Sequence, residues 1–315
     1  VGFLGDIGSA IMTPLYYAVS GILLVWHRIF STVLPEDSGW SWVLAIIGLT
    51  ITIRTLLIPL FVKQIKSSRN MQLLQPQIKA LQQKYKHDRQ KLQQEQMKLF
   101  QETGTNPLAS CLPLILQMPV FFALFRVIDR AAQDGAEGAR GFMTAQDAEQ
   151  LSGAKLLGAR IADTFMGTDL IEVRILTMTL VVVMVATQFT TQRQLMTKNM
   201  PATAMSGQYA QQQKTLLYIL PFVFAISGVI FPLGVLFYWV TSNLWTMGQQ
   251  FYVIRNNPTP GTPAFKAKQE REAKKGKDVT VDPTEAAKQA EDEAPKPSRN
   301  QPKNQARSKR KKGGK

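Results

Sequence analysis

Residues 42–62 read "WVLAIIGLTITIRTLLIPLFV", an apolar run with one charge, Arg54. At 1.5 Å of rise per residue its length fits a hydrocarbon core about 30 Å thick. A spanning helix is predicted. Comparable runs lie at 108–128, 171–192, 215–231 and 233–253. The predicted fold is an all-α polytopic membrane protein with a five-transmembrane-helix core.

Charge orients these spans. Over the whole chain 37 Lys and Arg outnumber 22 Asp and Glu, a net charge of +15, which suits a partner rich in negative charge. Segment 63–107 holds nine basic and three acidic residues, whereas 129–170 holds four basic and seven acidic. By the positive-inside rule the first is cytoplasmic and the second external. Arg193, Lys198 and Lys214 place the 193–214 connection inside, and the 17 basic residues from Arg255 onward place the tail there too. The expected topology has the N-terminus outside and the C-terminus in the cytoplasm.

Three stretches lie outside the spans. Residues 13–34 contain Gly21, His27, Arg28 and several hydroxyls, and are predicted as an amphipathic helix in the outer interface, within an N-terminal segment 1–39. A sixth span would instead put the N-terminus inside. Val1 is compatible with a processed terminus. In the cytoplasmic segment 64–104, Ile65, Met71, Leu74, Ile78, Leu81 and Tyr85 recur at helical spacing; after "KHDRQ" a second helical stretch runs to "TGTNP". An antiparallel helical hairpin is predicted, with Pro76 kinking or restarting its first helix. The core then extends over 40–254. Residues 255–315, rich in Pro, Lys, Glu, Ala and Gln and ending in "RSKRKKGGK", are predicted to be a disordered basic tail.

An arginine at the centre of a lipid-facing helix costs roughly 2.5 to 3.5 kcal/mol. Arg54 lies nine residues before Lys63, about 13 Å from the inner boundary. One reading has its side chain snorkel to headgroups. The other places it in a wet cavity inside the bundle, with Thr50 one turn earlier and Thr55 beside it. No acid lies deep in any span, so a proton relay has no visible parts. Ser110, Gln117, Thr187, Gln188, Thr241, Ser242 and Asn243 are candidate lining residues or helix-bridging groups, and Tyr238 and Trp239 candidate lining or packing aromatics.

The chemistry of enzymes is not visible. Cys111 is the single cysteine, which excludes an intramolecular disulfide and leaves a small packing residue. His27 and His87 lie outside the core spans and read as surface residues. There is no HExxH and no GxxxxGK[ST], and no catalytic residue, metal or cofactor is predicted. A small-anion transporter or channel using Arg54 is the alternative class; no inverted repeat supports it.

The stretch "GTNPLASCLPLILQMPVFFALFRVI" from Gly104 closely resembles the YidC family of membrane protein insertases, kin to the mitochondrial Oxa and chloroplast Alb proteins. "IRTLLIPLFVKQIKSSRNMQLLQPQIKALQQKYK" from Ile53, "ATQFTTQRQLM" from Ala186 and "FPLGVLFYWVTSNL" from Phe231 agree in the family's order and cover most of 40–255. The family's short form fits, because no large external domain precedes the first span. The resemblance implies a five-helix core in the plasma membrane, with a hydrophilic groove open to cytoplasm and lipid and closed externally. It implies that Arg54, Thr50, Gln188 and Trp239 occupy groove positions. It further implies action on nascent membrane proteins, alone or with the Sec translocon and targeting factors. The tail reads by default as a solvated disordered segment without a specific role; its charge also suits anionic lipids, and the resemblance implies ribosome contact as a third reading.

Overall fold

The structure is a computed structural model in which residues 2–104, 112–200 and 208–276 are described. Among these residues there are eleven α-helices and one two-stranded antiparallel ribbon. A helix lies over each apolar run: α2 (Gly39–Leu56) continuing into α3 (Ile58–Leu73), α6 (Leu112–Asp134), α8 (Ile171–Lys198), α9 (Gln208–Ile230) and α10 (Leu233–Asn256). Two of them, α2 and α8, are long and apolar enough over described residues to cross a membrane.

The first run is divided rather than continuous. α2 begins at Ser38, whose Oγ accepts from the Trp40 amide at 3.2 Å, and ends at Leu56. Pro59 explains the break, since it has no N–H to donate to the Thr55 carbonyl four residues earlier. α3 restarts one residue later with that proline in its first turn, where the missing donor costs little.

Before it stands α1 (Gly2–Phe30), one helix that begins earlier and ends sooner than the predicted 13–34. Its buried face carries Val19, Leu23 and Leu24, packed on α2 and α6, and its other face exposes Tyr17, Val25 and Ile29. Gly48 makes the α1–α2 approach feasible: any Cβ there would sit 2.5 Å from Trp26 Cδ2. That closeness lets Trp26 Nε1 donate to Thr52 Oγ1 at 2.9 Å.

The core is one cluster running from α1 through α2 and α6 to α10, with Trp42, Ile46, Leu49, Leu124, Ile128 and Val235 essentially inaccessible. A second, smaller cluster joins α8 to α10 through Val173, Leu180, Met184 and Leu236. α9 leans on α8, where a Cβ on Gly228 would collide with Val181.

The 129–170 connection is a folded cap. It comprises the end of α6, a 3₁₀ turn (Gly135–Gly138), α7 (Ala145–Gly153) and the ribbon β1 (Lys155–Leu156) and β2 (Ala159–Arg160). α7 opens with a reciprocal capping box between Thr144 and Asp147, and it sends Ala148 and Leu151 fully into the main cluster. Gly141, at φ +67°, turns the chain against α1, and the next amide, Phe142 N, donates to Ser20 Oγ at 2.9 Å. α10 starts at Pro232 without a side-chain cap, so the cap serves instead. Leu233 N donates to the Asp163 carbonyl at 3.0 Å and Gly234 N to Ile161 at 2.8 Å, satisfying amides that a helix N-terminus leaves unpaired.

On the opposite side of the first apolar run, α3 gives way at Leu74 to α4 (Gln75–Lys84), with Pro76 in its first turn; the first helix of the segment therefore restarts. A four-residue turn, 85–88, leads to α5 (Arg89–Glu102), whose N-cap Asp88 accepts from Lys91 N at 2.9 Å. α4 and α5 pack on each other.

Disorder from residue 255 onward does not hold for the first part of the tail. α10 runs through Asn256, and after "PTPGT" the helix α11 (Pro263–Ala273) folds back against α10 and α8. Thr262 caps α11 with Pro263 at its first position, Phe265 is buried, and buried Asn199 at the end of α8 accepts from Thr259 N at 2.9 Å. Composition alone hid this, because one buried phenylalanine and a Thr-Pro cap anchor a segment that is otherwise charged. The remaining tail, 277–315, lies outside the described residues.

His27 is a second correction. It is 3 % exposed, stacked on Trp42 at 3.8 Å between ring centroids, with Nε2 2.9 Å from the Glu36 carbonyl oxygen. His87 is exposed. Burial pushes the His27 imidazole below its ordinary 6.5, against the opposing pull of the Glu36 carbonyl and the Asp147 carboxylate. As pH falls below 6.5 the unfolded chain binds a proton that the folded chain resists, so the stability that neutral His27 contributes is lost through that window. Thermal unfolding in detergent is expected to occur at lower temperature as pH drops from 7 toward 5, and His27→Gln, which keeps a donor for Glu36, is expected to flatten that dependence.

Candidate functional site

The candidate site lies where α2 meets α10, a helix pair in close contact along its length. Thr50 and Arg54 are one turn apart on α2 and so share a face. Thr50 is 1 % exposed, and its hydroxyl donates to the Ile46 carbonyl of its own helix at 2.7 Å. Arg54 is half-buried: its Nε is shut off from solvent and has no hydrogen-bond partner among the described residues. Its guanidinium carbon stands 5.6 Å from the centroid of the Phe61 ring, across the Leu57 break. No carboxylate among the described residues pairs with it.

From α10, Tyr238 comes close enough to Arg54 for its hydroxyl and the guanidinium charge to act on each other. Tyr238 is 1 % exposed, and its Oη has the Ser242 hydroxyl one turn on as its neighbour, without a hydrogen bond of good geometry. Ser242 and Trp245 continue the same stripe at one and two turns, and both keep a buried polar atom unmatched, as does Asn243 on the neighbouring stripe. Protein interiors almost always match such atoms. Arg54 Nε, Asn243 Nδ2 and Trp245 Nε1 are all donors, and the two hydroxyls can donate as well. The arrangement therefore suits acceptors, either carbonyl or carboxylate oxygens.

The remaining sequence candidates fall elsewhere. Trp239 faces an aromatic cluster: it stacks on Phe121 at 5.0 Å and 6°, and meets Phe231 and Phe224 edge-on at 5.2 and 5.8 Å. Gln117 and Gln188 are half-buried on α6 and α8, neither on the helix pair that carries the arginine. Thr187, beside Gln188, returns its hydroxyl to the Val183 and Met184 carbonyls, and Thr241 does likewise to Phe237. Thr55 is exposed, and Ser110 lies outside the described residues. Sequence reasoning passed over Trp245 and Thr177, whose polar atoms are buried and unmatched. The stripe of 238, 242 and 245 was the available signal for the first.

A helical membrane protein with a half-buried cation, unpaired among the described residues, between two of its apolar helices is the class these features define. Residues 33–260 match the family model described as 60Kd inner membrane protein, and the chain belongs to that family. A relative from Streptomyces avermitilis named membrane protein insertase YidC is 46% identical over 262 residues, 80% of this chain and 60% of the relative. The chain thus spans somewhat less than two thirds of that protein's length. A relative of the same name from Tropheryma whipplei strain Twist is 34% identical over 282 residues, covering 84% of this chain and 90% of its own. A crystal structure titled as active YidC insertase with its first transmembrane domain resolved has 25% identity and a TM-score of 0.49, over 74% of this chain and 45% of that one.

The aromatic cluster yields a stability test. Trp239→Ala removes the stack on Phe121 and two edge contacts, and is expected to cost about 3 kcal/mol. Trp239→Phe, which keeps a ring in the stack, is expected to cost less than half as much, as read by thermal denaturation in detergent.

Proposed function

We propose that this chain is a membrane protein insertase of the plasma membrane, which takes nascent membrane proteins through a hydrophilic groove between α2 and α10. The observation that carries the reading is Arg54 Nε, buried and unmatched beside Tyr238, in a chain of a family whose relatives are named insertases. In this reading α2–α3, α6, α8, α9 and α10 are the five spans, α1 lies at the outer interface, and the cap closes the groove externally. The α4–α5 hairpin and α11 stand in the cytoplasm. The charge distribution of the connections supports that orientation.

The groove works by shortening the dry path. A guest's hydrophilic segment enters from the cytoplasm, and its acidic or carbonyl oxygens meet the donors of Arg54, Tyr238 and Asn243. Thr50, one turn from Arg54, lines the same path, and Gln188 on α8 and the Trp239 cluster lie on the side where the guest's apolar segment leaves it. The guest's apolar segment moves along the exposed faces of α8 and α10 into lipid, where about 0.8 kcal/mol per buried methylene drives transfer. The membrane potential helps acidic segments outward. No nucleotide enters this scheme. Guests arrive directly or by way of the Sec translocon and targeting factors, and the basic tail holds the ribosome through phosphate contacts.

Arg54→Ala is expected to slow insertion of guests with acidic translocated segments about tenfold, the equivalent of one charge-assisted hydrogen bond of about 1.5 kcal/mol. Arg54→Lys is expected to lose less, because it keeps the charge. Protease protection of a guest in reconstituted vesicles measures this, and equal protection with the alanine variant would take the groove charge out of the mechanism.

Truncation after Gly276, which spares α11, is expected to reduce ribosome cosedimentation at low salt. An unchanged pellet fraction would reject that role for the tail.

A further inference from the structure

The N-terminal half of α8 carries a charged end to its exposed apolar face that the insertase reading leaves unexplained. A shallow, open groove of about 600 Å³ lies along the exposed face of α8 formed by Ile171, Ile175, Met178, Thr179, Val182 and Val183, with Phe165 at one end, and this face is almost wholly apolar. These side chains are open to the surroundings, Ile175 and Val182 by 60% and 61%. At one end of this groove stands Arg174, beneath the Phe165 ring, with its guanidinium carbon 5.8 Å from the ring centroid. Arg174 Nη2 holds Asp169 Oδ1 at 2.7 Å, while its Nε is buried without a partner.

We infer that this groove is a binding site for an anionic glycerophospholipid, with its phosphate on Arg174 and one acyl chain lying along α8 as far as Val183. Three observations choose that occupant over another apolar partner. The groove is apolar along its length and charged only at the end where α8 begins, where Arg174 is the one lining cation and Asp169 and Glu172 stand outside the lining. Nine residues of helix span about 13 Å, close to half of a hydrocarbon core of about 30 Å, which is the depth one leaflet's chain occupies. The Asp169 carboxylate that Arg174 already holds is fully exposed, so water and salt screen that pair, and it leaves most of the five-donor fork for a phosphate. The inference rests on α8 crossing the bilayer with Arg174 at the outer boundary. A lipid held there restricts a guest's path along α8 to the half beyond Val183.

The test uses the full chain in phosphatidylcholine vesicles doped with a phosphatidylglycerol that bears a photoactivatable group near the end of one chain. Mass spectrometry of the labelled protein is expected to place adducts on 175–183. Arg174→Gln is expected to lower them about fivefold, the effect of about 1 kcal/mol for one cation at the surface. Arg174→Lys is expected to retain most of the labelling, and Asp169→Asn, at an exposed side chain, to raise it. Val182→Trp, which fills the groove without touching the charge, is expected to remove it. Equal labelling of wild type and Arg174→Gln would overturn the inference, as would equal labelling by a phosphatidylcholine probe. No guest is present, and Arg54→Ala is expected to label like wild type, so failure here and failure of insertion are separable results.

Discussion

The interaction on which the rest turns is the one Arg54 lacks. A guanidinium within an apolar run, here in the last turn of α2, sheds hydration, and a protein ordinarily recovers that loss with a carboxylate or with several hydrogen bonds. Here α10 offers a tyrosine hydroxyl, and α3 offers the face of Phe61. Neither replaces a full set of acceptors. The deficit persists because α2 and α10 are held by packing far from the arginine: Trp42, Ile46 and Leu49 on one side, and Val235 and Leu236 on the other. Stability is built at one end of the helix pair, which leaves the other end free to carry a poorly matched charge.

The cap explains why one end is so well packed. Its carbonyls at Ile161 and Asp163 take the first amides of α10, its α7 side chains enter the main cluster, and Ser20 on α1 ties it back to the first helix. A connection of this kind fixes the spacing of α1, α6 and α10 together. Toward the other end the tie among the described residues is α11, which joins α10 to α8 rather than to α2. Leu57 breaks the first run, and Pro59 withholds the hydrogen bond that would have kept it straight. Rigidity and compliance are therefore distributed along the long axis of the bundle. That asymmetry suits the proposed insertase role, which requires one closed end and one end that admits a guest.

Charge is distributed with the same economy. The Arg174 fork at the start of α8 and the Arg54 fork on α2 each keep a buried Nε unmatched, yet their surroundings differ. Arg174 sits under an aromatic ring, at the end of an open apolar channel on the outer face of its helix. Arg54 sits against a helix partner lined with hydroxyl and amide groups. Similar cations thus suit a phosphate at a lipid boundary in one case and an oxygen-bearing chain inside the bundle in the other.

Much of this was legible in the residues, because hydrophobic length and helical period are local properties. The apolar runs, the restart at Pro76, and the shared face of Thr50 and Arg54 each follow from a few consecutive residues. What the residues could not reveal were long-range matches. Whether His27 is exposed depends on Trp42 and Glu36 folding over it; whether "PTPGTPAF" is ordered depends on Asn199 and a pocket for Phe265. Trp239 looked like a groove residue from its neighbours in sequence, yet its ring finds Phe121, Phe224 and Phe231. The sequence by itself determined that the chain makes long apolar helices and places a cation within one of them, since lipid-compatible length and a buried charge are written in adjacent residues. Only the tertiary structure decided that the cation faces Tyr238 and that the 129–170 connection becomes a cap, because which polar atoms are matched and which are left over depends on the contacts between elements distant in the chain.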